Sequence, residues 1–455
     1  MSVNEKKNIR NIVDNALCCA CGICASVCPA KAIIMVRNHA NFLKAYVENN
    51  RCLNCGKCIS YCPSVSNNVE YLLRLQDGKW SNGKNVLKGY IGYSYNSDVR
   101  KKGQSGGVTS SLLMHLIDKR YVKGALVNRF DIRTQQADVF FATDSRDIIS
   151  AAGSYYVQSA TLKNIDYYDD NVAVVVTGCQ SEALMLRYKQ TGRRPKLIIG
   201  LACAGNYSLD YMYDLADCEH TSHNIQEFRF RDKRINGWPG DVYIDVGEKI
   251  IKKSILERVE LKSCYNSYRC MQCFDINNIF ADIVVGDPWC FRKEYDKEEL
   301  KNGYTVVVAR TLIGLEAIEN AENDGYVILE KKIPEMFFYH NSYVAGGAYK
   351  AKYAMDMCVE EGLPTIYNDE CKEIIYSGLL GSKNKKNNQT KILQDVKHAY
   401  ALYNANSRGM VNKLNCKVKK RLARKKIINL PMNLVIECLI KIRNIVKATY
   451  IKFIR

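Results

Sequence analysis

The 455-residue sequence lacks several features that would mark a membrane-spanning, secreted or histidine-dependent protein. It contains no run of about 18 apolar residues, so we expect no transmembrane helix. The first seven residues include no apolar segment and no cleavage site, so we expect no signal peptide. The six histidines, at positions 39, 115, 220, 223, 340 and 398, are scattered and define no acid–base pair. These absences favour a cytoplasmic protein and identify no catalytic residue.

Cysteine, by contrast, is abundant, with 20 residues. In a short secreted chain this number would indicate a disulfide framework. In a chain that stays in the reducing cytoplasm, cysteine more often binds metals or acts in catalysis. The cysteine content therefore predicts metal or redox chemistry.

Positive charge is concentrated at the C-terminal end. The net charge is +19, yet residues 379–455 carry 19 Lys and Arg against 2 Asp and Glu, which leaves 47 basic and 45 acidic side chains in the first 378 residues. The basic run Lys417–Lys426 is followed by apolar residues at helical spacing, namely Leu434, Val435, Cys438, Leu439, Ile442, Ile445 and Val446. This pattern predicts a cationic amphipathic helix, which could contact an anionic membrane surface or an acidic protein, or simply cover the protein as a solvated helix. No nucleic acid partner is expected, because no recognition module accompanies the charge.

Two copies of one cysteine motif occupy the N-terminal region, offset by 34 positions. The pattern C-x2-C-x2-C-x3-C-P comprises Cys18, Cys21, Cys24, Cys28 and Pro29, and then Cys52, Cys55, Cys58, Cys62 and Pro63. In such a run three thiolates bind one [4Fe–4S] cluster and the fourth binds the other cluster. We therefore assign Cys18, Cys21, Cys24 and Cys62 to one cluster, and Cys52, Cys55, Cys58 and Cys28 to the second. Cys19 does not fit the register, and zinc is disfavoured because it prefers two separated CxxC pairs.

The region after Gly89 has the texture of an α/β domain. Apolar runs at 172–176, 196–200, 283–285 and 305–309 predict short buried strands, and 109–116 and 181–189 predict helices between them. This alternation favours a mainly parallel or mixed sheet. Residues 66–88 are polar and predict an irregular linker, and residues beyond about 347 predict helices.

Further cysteines follow two of these predicted strands. Cys179 and Cys203 come just after strands, where α/β folds place their ligands, and Cys270 and Cys273 form a CxxC pair. Four such thiols are enough for a third [4Fe–4S] cluster. On spacing alone, the alternative is that Cys179 and Cys203 are buried small residues and that the CxxC pair is coincidental.

A small-residue turn precedes the first predicted helix of this domain. Ser105, Gly106 and Gly107 lead into the helix at Thr109, and exposed N–H groups at such a helix start can bind phosphate. A capped helix after a glycine turn is the commoner explanation of this pattern.

Taken in order, the motifs resemble those of the coenzyme F-420 hydrogenase/dehydrogenase β-subunit family. The matching segments are Ser105-Gly-Gly, Gly153-Ser-x-Tyr156-x-Gln158-Ser159, Gly178-Cys179-Gln180, Cys203-Ala-Gly205, Cys270-x-x-Cys273 and Ala281-Asp-x-x-x-Gly286-Asp287-x-Trp289. The resemblance covers about residues 1–345. Family members often have Pro before the Cys-Gln pair and Phe between the Asp and the Trp, and this chain has Gly178 and Pro288 there.

The resemblance implies cofactors and their sites. It implies that Cys179, Cys203, Cys270 and Cys273 bind a third [4Fe–4S] cluster, with Cys264 as the rival for one place. It also implies an FAD site, for which the candidate residues are Ser105, Gly106, Gly107, Tyr156, Gln158 and Ser159. A flavin accepts electrons singly and delivers them as a pair, so it connects cluster chemistry with hydride chemistry.

The expected organisation is an α/β (α+β) chain with five regions. These are a two-cluster bacterial ferredoxin-like domain at 1–65, a linker at 66–88, the two parts of an α/β flavin-binding domain with a mixed sheet at 89–165 and 166–346, and a helical region with a basic tail at 347–455. The resemblance implies an oxidoreductase that passes electrons between a donor protein or reduced cofactor and a small-molecule substrate, in some relatives within bacterial surface-polysaccharide metabolism. The alternative is a non-catalytic electron-transfer subunit of a larger complex.

Overall fold

The computed structural model describes residues 8–75, 86–168, 170–217, 225–334, 342–378 and 389–428. The strands are β1 (Ile33–Arg37), β2 (Leu43–Val47), β3 (Lys88–Ser94), β4 (Ala125–Asp131), β5 (Gln136–Ala142), β6 (Ala173–Val176), β7 (Leu197–Leu201), β8 (Glu227–Asp232), β9 (Asp241–Asp245), β10 (Ile250–Lys253), β11 (Ile283–Gly286), β12 (Thr305–Ala309) and β13 (Val327–Lys332).

The α-helices form the second set of elements. They are α1 (Arg10–Asp14), α2 (Ile23–Ser26), α3 (Lys57–Ser60), α4 (Ser66–Leu75), α5 (Ser97–Lys102), α6 (Val108–Asp118), α7 (Ser145–Ser150), α8 (Gly178–Thr191), α9 (Asp210–Leu215), α10 (Ile255–Leu261), α11 (Tyr268–Met271), α12 (Lys297–Lys301), α13 (Leu312–Asn323), α14 (Ser342–Glu360), α15 (Asp369–Gly378), α16 (Gln389–Tyr403) and α17 (Arg408–Ile428).

An eight-stranded mixed sheet organises the middle of the chain. Its strand order is β13-β3-β12-β11-β7-β6-β4-β5, and β4, β6, β7 and β11 run parallel while the outer pairings are antiparallel. The four apolar runs predicted as strands correspond to β6, β7, β11 and β12, and the two predicted helices correspond to α6 and α8. These predictions succeed because central strands with both faces covered are apolar almost throughout. The mixed-sheet prediction is confirmed.

Successive side chains of a central strand face opposite sides of this sheet. In β7, Ile199 packs in the apolar cluster that includes Leu112 of α6 and Ile318 of α13. Its neighbour Ile198 packs in a second cluster, which includes Leu184 of α8. The sheet is therefore covered by helices on both faces.

The N-terminal cysteine-rich domain packs directly against the second face of the sheet. Cys21 and Tyr61 are members of the same apolar cluster as Ile198. The N–H of Leu162 donates to the carbonyl of Cys21 over 2.9 Å. The domain is therefore an integral layer of the fold.

One glycine makes this packing possible. Gly22 has φ of +86°, and a Cβ built there would lie 2.7 Å from the backbone nitrogen of Lys163. The position thus demands a residue with no side chain for two separate reasons, backbone conformation and closeness of a second chain segment.

Two of the sequence predictions need correction or restriction. The expectation of an irregular linker is wrong for residues 66–75, which form α4, because Val69 and Leu72 lie about one helical turn apart and are both buried. The helical prediction beyond residue 347 is confirmed for α14 to α17. The predicted amphipathic segment at 434–452 lies outside the described residues.

The first part of the basic tail packs on the protein body. In α17, Arg421 pairs with Asp395 at 2.8 Å, Lys419 pairs with Asp214, and Val418 is buried. Part of the positive charge is therefore used internally. Within the described ranges, no helix is long and apolar enough to cross a membrane.

We predict that Gly22→Ala destabilises the protein more than Gly192→Ala. Gly192 also has a left-handed backbone, with φ of +70°, but a Cβ there would meet no atom within 4 Å. Both variants should lose about 1–2 kcal/mol of unfolding free energy from backbone strain, and only Gly22→Ala adds a clash with Lys163. Denaturant unfolding of the oxygen-free protein measures the difference, and equal losses would contradict the proposed role of Gly22.

Candidate functional site

The two N-terminal cysteine motifs form two similar loops, each ending in a single helical turn. Gly22 and Gly56 are left-handed, with φ of +86° and +76°, and begin α2 and α3. Cys24 and Cys58 lie within these turns. The glycines therefore allow the tight fold that the cysteine spacing predicts.

The first set of thiols, set A, consists of Cys18, Cys21, Cys24 and Cys62. Burial raises the pKa of Cys24, and the neighbouring Cys18 and Cys62 raise it further. Burial likewise raises the pKa of Cys62 to about 12, although the N–H of Ser64, 3.4 Å from its Sγ, lowers it. The structure thus brings the fourth cysteine of the second motif to the first three cysteines of the first motif.

The second set of thiols, set B, lines a cavity near the surface. Cys28, Cys52, Cys55 and Cys58 all contribute to its wall. Cys55 is exposed, and Leu53 beside it is 68% exposed. Set B is therefore the set closest to solvent, and its four thiols lie around one cavity.

The third set of thiols, set C, gathers at the carboxyl ends of parallel strands. Cys179 lies in the first turn of α8, directly after β6, and Cys203 follows β7. The turn before Cys179 needs no proline, because the side chain of Gln180 accepts a hydrogen bond from the N–H of Thr177 over 3.0 Å and caps the helix. Cys270 and Cys273 come from α11 and the residues after it.

All pairs within set C interact. Burial raises the pKa of Cys203, and Cys270, Cys179 and Cys273 raise it further. Burial also raises the pKa values of Cys270 and Cys273, and in each case Cys179 contributes to the increase. Four half-buried thiols this close would repel one another as free thiolates, whereas a shared cationic cluster would stabilise them.

Backbone groups point hydrogens at the sulfur atoms of set C. The N–H of Asn206 donates to Cys270 Sγ over 3.4 Å, and the N–H of Gly205 donates to Cys203 Sγ over 3.5 Å. Hydrogen bonds of this kind tune the potential of iron–sulfur clusters. The donor set therefore fits a [4Fe–4S] cluster.

A compact site for a single metal ion is not found among the residues that the structure describes. In a [4Fe–4S] cluster each thiolate bonds a different iron atom, so its four ligands stand farther apart than those around one ion. Cys264, the rival ligand, is fully buried in another apolar cluster, and its charged neighbours include Lys419 and Asp214. It does not take part in set C.

Cys19, which the motif register leaves out, lies between sets A and C. Its side chain is within hydrogen-bonding reach of Cys179 in set C and of Cys21 in set A. The bond with Cys179 lowers the pKa of Cys19, but Cys21 and burial raise it well above its ordinary value. The spacing of the cysteine motifs does not predict this location of Cys19, because the location results from the packing of the two domains.

The candidate flavin residues fall into two groups. In the first, the hydroxyl of Ser105 donates to the carbonyl of Tyr304 and lies beside Asp287. The N–H of Gly106 donates to Thr305 Oγ1 over 2.9 Å, and a Cβ at Gly106 would lie 2.5 Å from the carbonyl of Gly92.

Gly107 begins α6 without a side-chain cap. The helix start therefore retains N–H groups that suit an anion.

Tyr156 joins this first group through a buried ion pair that the sequence does not predict. Arg231 binds Asp287 over 3.0 Å, and its other terminal nitrogen lies 3.5 Å from the Tyr156 hydroxyl. Burial raises the pKa of Asp287, but Arg231 lowers it below its ordinary value. The pair fixes a negative charge beside Ser105.

Gln158 and Ser159 form the second group, next to the start of α8. The Oε1 of Gln158 accepts the N–H of Leu43 over 2.9 Å, while its Nε2 is buried with no hydrogen-bond partner within the described part of the chain. Ser159 donates to Asn128 Oδ1 over 2.7 Å. An orphaned buried donor of this kind is compatible with a bound cofactor.

Comparison with protein-family models identifies the class of protein. Residues 17–65 match the 4Fe-4S dicluster domain. Residues 90–166 match the N-terminal part of the coenzyme F420 hydrogenase/dehydrogenase beta subunit, and residues 169–335 match its C-terminal part. The chain belongs to the coenzyme F420 hydrogenase/dehydrogenase beta-subunit family and carries an iron–sulfur dicluster domain at its front.

Three relatives show the kind of protein that this chain resembles. The chain is 25% identical over 317 residues to one subunit of the F(420)H(2) dehydrogenase of Methanosarcina mazei, a match that covers 67% of this chain and 82% of that protein. It is 23% identical over 245 residues to the F420-dependent formate dehydrogenase subunit beta of Methanocaldococcus jannaschii, covering 51% of this chain and 59% of that one. It is 26% identical over 334 residues to the coenzyme F420-dependent sulfite reductase of the same organism, covering 69% and 47%.

A solved structure is also similar in part. A chain of the F420-reducing [NiFe] hydrogenase complex from Methanosarcina barkeri aligns with a TM-score of 0.47 and 17% identity, over 63% of this chain and 96% of that chain. The named relatives are oxidoreductases or their subunits, so this chain has an oxidoreductase-related role in electron transfer. The names of these relatives mention coenzyme F420 and not FAD, so the FAD site of this chain stays a prediction.

We predict that the double substitution Cys270→Ala with Cys273→Ala removes one cluster. Oxygen-free wild-type protein should hold about twelve iron atoms per chain and the double variant about eight, because each cluster contains four. Cys264→Ala is the matched control and should keep the wild-type content, since Cys264 lies outside set C. Iron analysis of the wild type and of both variants measures the iron atoms per chain, and a wild-type value of about eight would contradict a third cluster.

Proposed function

We propose that this chain is an electron-transfer subunit of a larger oxidoreductase, with one [4Fe–4S] cluster on each of sets A, B and C. The observation that carries the proposal is the continuous series of thiols from the surface to the sheet edge. Each such cluster transfers one electron at a time. The subunit names among the relatives support a chain that works with protein partners.

Contacts between neighbouring sets support the order B, A, C. Burial raises the pKa of Cys24 of set A most, and Cys58 of set B is close enough to raise it further. Cys18 of set A interacts in the same way with Cys179 of set C. Set A is thus the middle member of the series.

The surface beside set B is the proposed contact with the electron-donor protein. Leu53 and Cys55 are exposed there, next to the cavity lined by the set B thiols. Exposed apolar groups beside a redox centre allow a partner to come close without displacing charged side chains and their water. The partner is therefore expected to cover Leu53.

At the other end, the two groups of candidate flavin residues would hold FAD or a related flavin. The uncapped start of α6 suits a phosphate. The Nε2 of Gln158, which has no hydrogen-bond partner among the described residues, supplies a donor. This second group lies close to set C, because Gln180, the residue after Cys179, has its Nε2 3.4 Å from the carbonyl of Ser159. A flavin supplies hydride chemistry. The names of the relatives make coenzyme F420 the first small-molecule candidate.

The rival proposal is that the chain reduces a small-molecule substrate without a partner. Its support is the similarity to a coenzyme F420-dependent sulfite reductase, whose name describes a whole enzyme, although the match covers 47% of that protein. The link to surface-polysaccharide metabolism stays a prediction of the resemblance.

We predict that the purified chain accepts electrons but does not turn over coenzyme F420 by itself. In oxygen-free protein, a reduced ferredoxin should bleach the clusters, and steady F420 turnover should begin only after a co-purifying partner is added. Flavin and iron per chain are measured on the same sample. Steady turnover by the chain alone would favour the rival proposal.

A second prediction concerns the donor contact. Leu53→Glu should slow reduction by ferredoxin about fivefold or more, because it removes an apolar contact worth upwards of about 1 kcal/mol and adds a charge. Leu312→Glu is the control, since Leu312 is 75% exposed and begins α13, which packs on the opposite face of the sheet from the N-terminal domain. Reduction by a small reagent should be the same in both variants. Equal ferredoxin rates would rule out Leu53 as part of the contact.

A further inference from the structure

Arg269 is a buried cation with an unusual environment. It lies in α11, directly before Cys270, and is 2% exposed. Its Nε donates to the hydroxyl of Ser64 over 3.2 Å, and its guanidinium lies 5.8 Å from the centre of the Tyr367 ring. Among the ion pairs of the described residues, none joins Arg269 to a carboxylate. A buried guanidinium without a counter-ion is strongly destabilising.

The negative groups that could compensate this charge are thiolates. Arg269 directly precedes Cys270 and lies four residues before Cys273. Glu182 is a buried acidic side chain near Arg269, but the two form no ion pair among the described residues.

Arg269 is connected to two of the three thiol sets. On one side, Ser64 links it to set A, because the hydroxyl of Ser64 accepts from Arg269 and its N–H donates to Cys62 Sγ over 3.4 Å. On the other side, the adjacent residue Cys270 belongs to set C and accepts the N–H of Asn206. The sulfur atoms of set B have other donors, since Cys28 Sγ accepts the N–H of Ala32 over 3.3 Å and Cys52 Sγ accepts from Asn8 Nδ2 over 3.9 Å.

We propose that Arg269 is the shared counter-charge of the clusters on sets A and C, and that it raises both of their reduction potentials relative to the cluster on set B. This inference rests on the proposed function. A cluster with four thiolates gains negative charge on reduction, and a fixed cation in a poorly polarisable interior stabilises the reduced form. Arg269 therefore stabilises an added electron on the clusters of sets A and C relative to the cluster of set B.

A purely structural role for Arg269 makes a different prediction. The contacts with Ser64 and Tyr367 could serve only to hold α11 against the N-terminal domain. In that case substitution would change stability or iron content but would leave the potentials of the remaining clusters in place. The reduction potential is therefore the measurement that separates the two roles.

The test compares Arg269→Gln with Arg269→Lys in the full, cluster-loaded chain. Potentiometric titration followed by electron paramagnetic resonance gives the potential of each cluster. Arg269→Gln should shift two potentials to more negative values and leave the third unchanged, while Arg269→Lys, which keeps the charge, should stay near wild type. The Cys270→Ala, Cys273→Ala variant identifies which potential belongs to set C.

Unchanged potentials in an Arg269→Gln protein with full iron content would overturn the proposal, as would an equal shift of all three. If Arg269→Gln does not retain its iron, the set A potential is measured in Ser64→Ala instead, because this substitution removes only the hydroxyl that accepts the hydrogen bond from Arg269. A more negative set A potential in Ser64→Ala supports the proposal, and no change overturns it. If the wild type holds about eight iron atoms, the third-cluster proposal fails separately, and the Arg269 effect is still measured on set A.

Discussion

The close approach of two chain segments, one from the N-terminal cysteine domain and one from the sheet domain, is the constraint on which the rest of the site depends. The loop at Gly22 lies so near Lys163 that no Cβ fits between them, and the Leu162 N–H binds the Cys21 carbonyl. A glycine in the left-handed region is required for this contact. Because of it, Cys19 lies beside Cys179, and a ferredoxin-type domain becomes one layer of a larger redox protein.

Electrostatics imposes the second constraint. Burial raises the pKa of Cys203, Cys270 and Cys273, and in each case Cys179 raises it further. The same region contains Arg269, a cation with no carboxylate ion pair among the described residues, while Asp287 elsewhere is matched by Arg231. A buried cation without a carboxylate counter-ion points to another group of negative charge nearby. Iron–sulfur clusters on sets A and C would account for both observations at once.

Several predictions depended on local rules and succeeded for that reason. Apolar runs located β6, β7, β11 and β12, because strands covered on both faces have little room for polar residues. The placement of Cys179 and Cys203 at strand ends followed from the same runs. The prediction failed at residues 66–75, where Val69 and Leu72 of α4 are buried but the two asparagines near its start hide the helical period. The sequence also did not predict the ion pair of Arg231 or the location of Arg269, because a single arginine belongs to no repeated spacing.

The sequence by itself determined the two cysteine motifs, the composition of the central strands and the positive charge of the tail, because each of these is a periodic or local pattern. Only the tertiary structure decided that Cys264 is excluded from set C, and that Cys19 and Arg269 lie between thiol sets. These relations join residues up to 205 positions apart, as Arg269 and Ser64 are. No local preference encodes such distances, which are fixed when the apolar faces of the domains pack together.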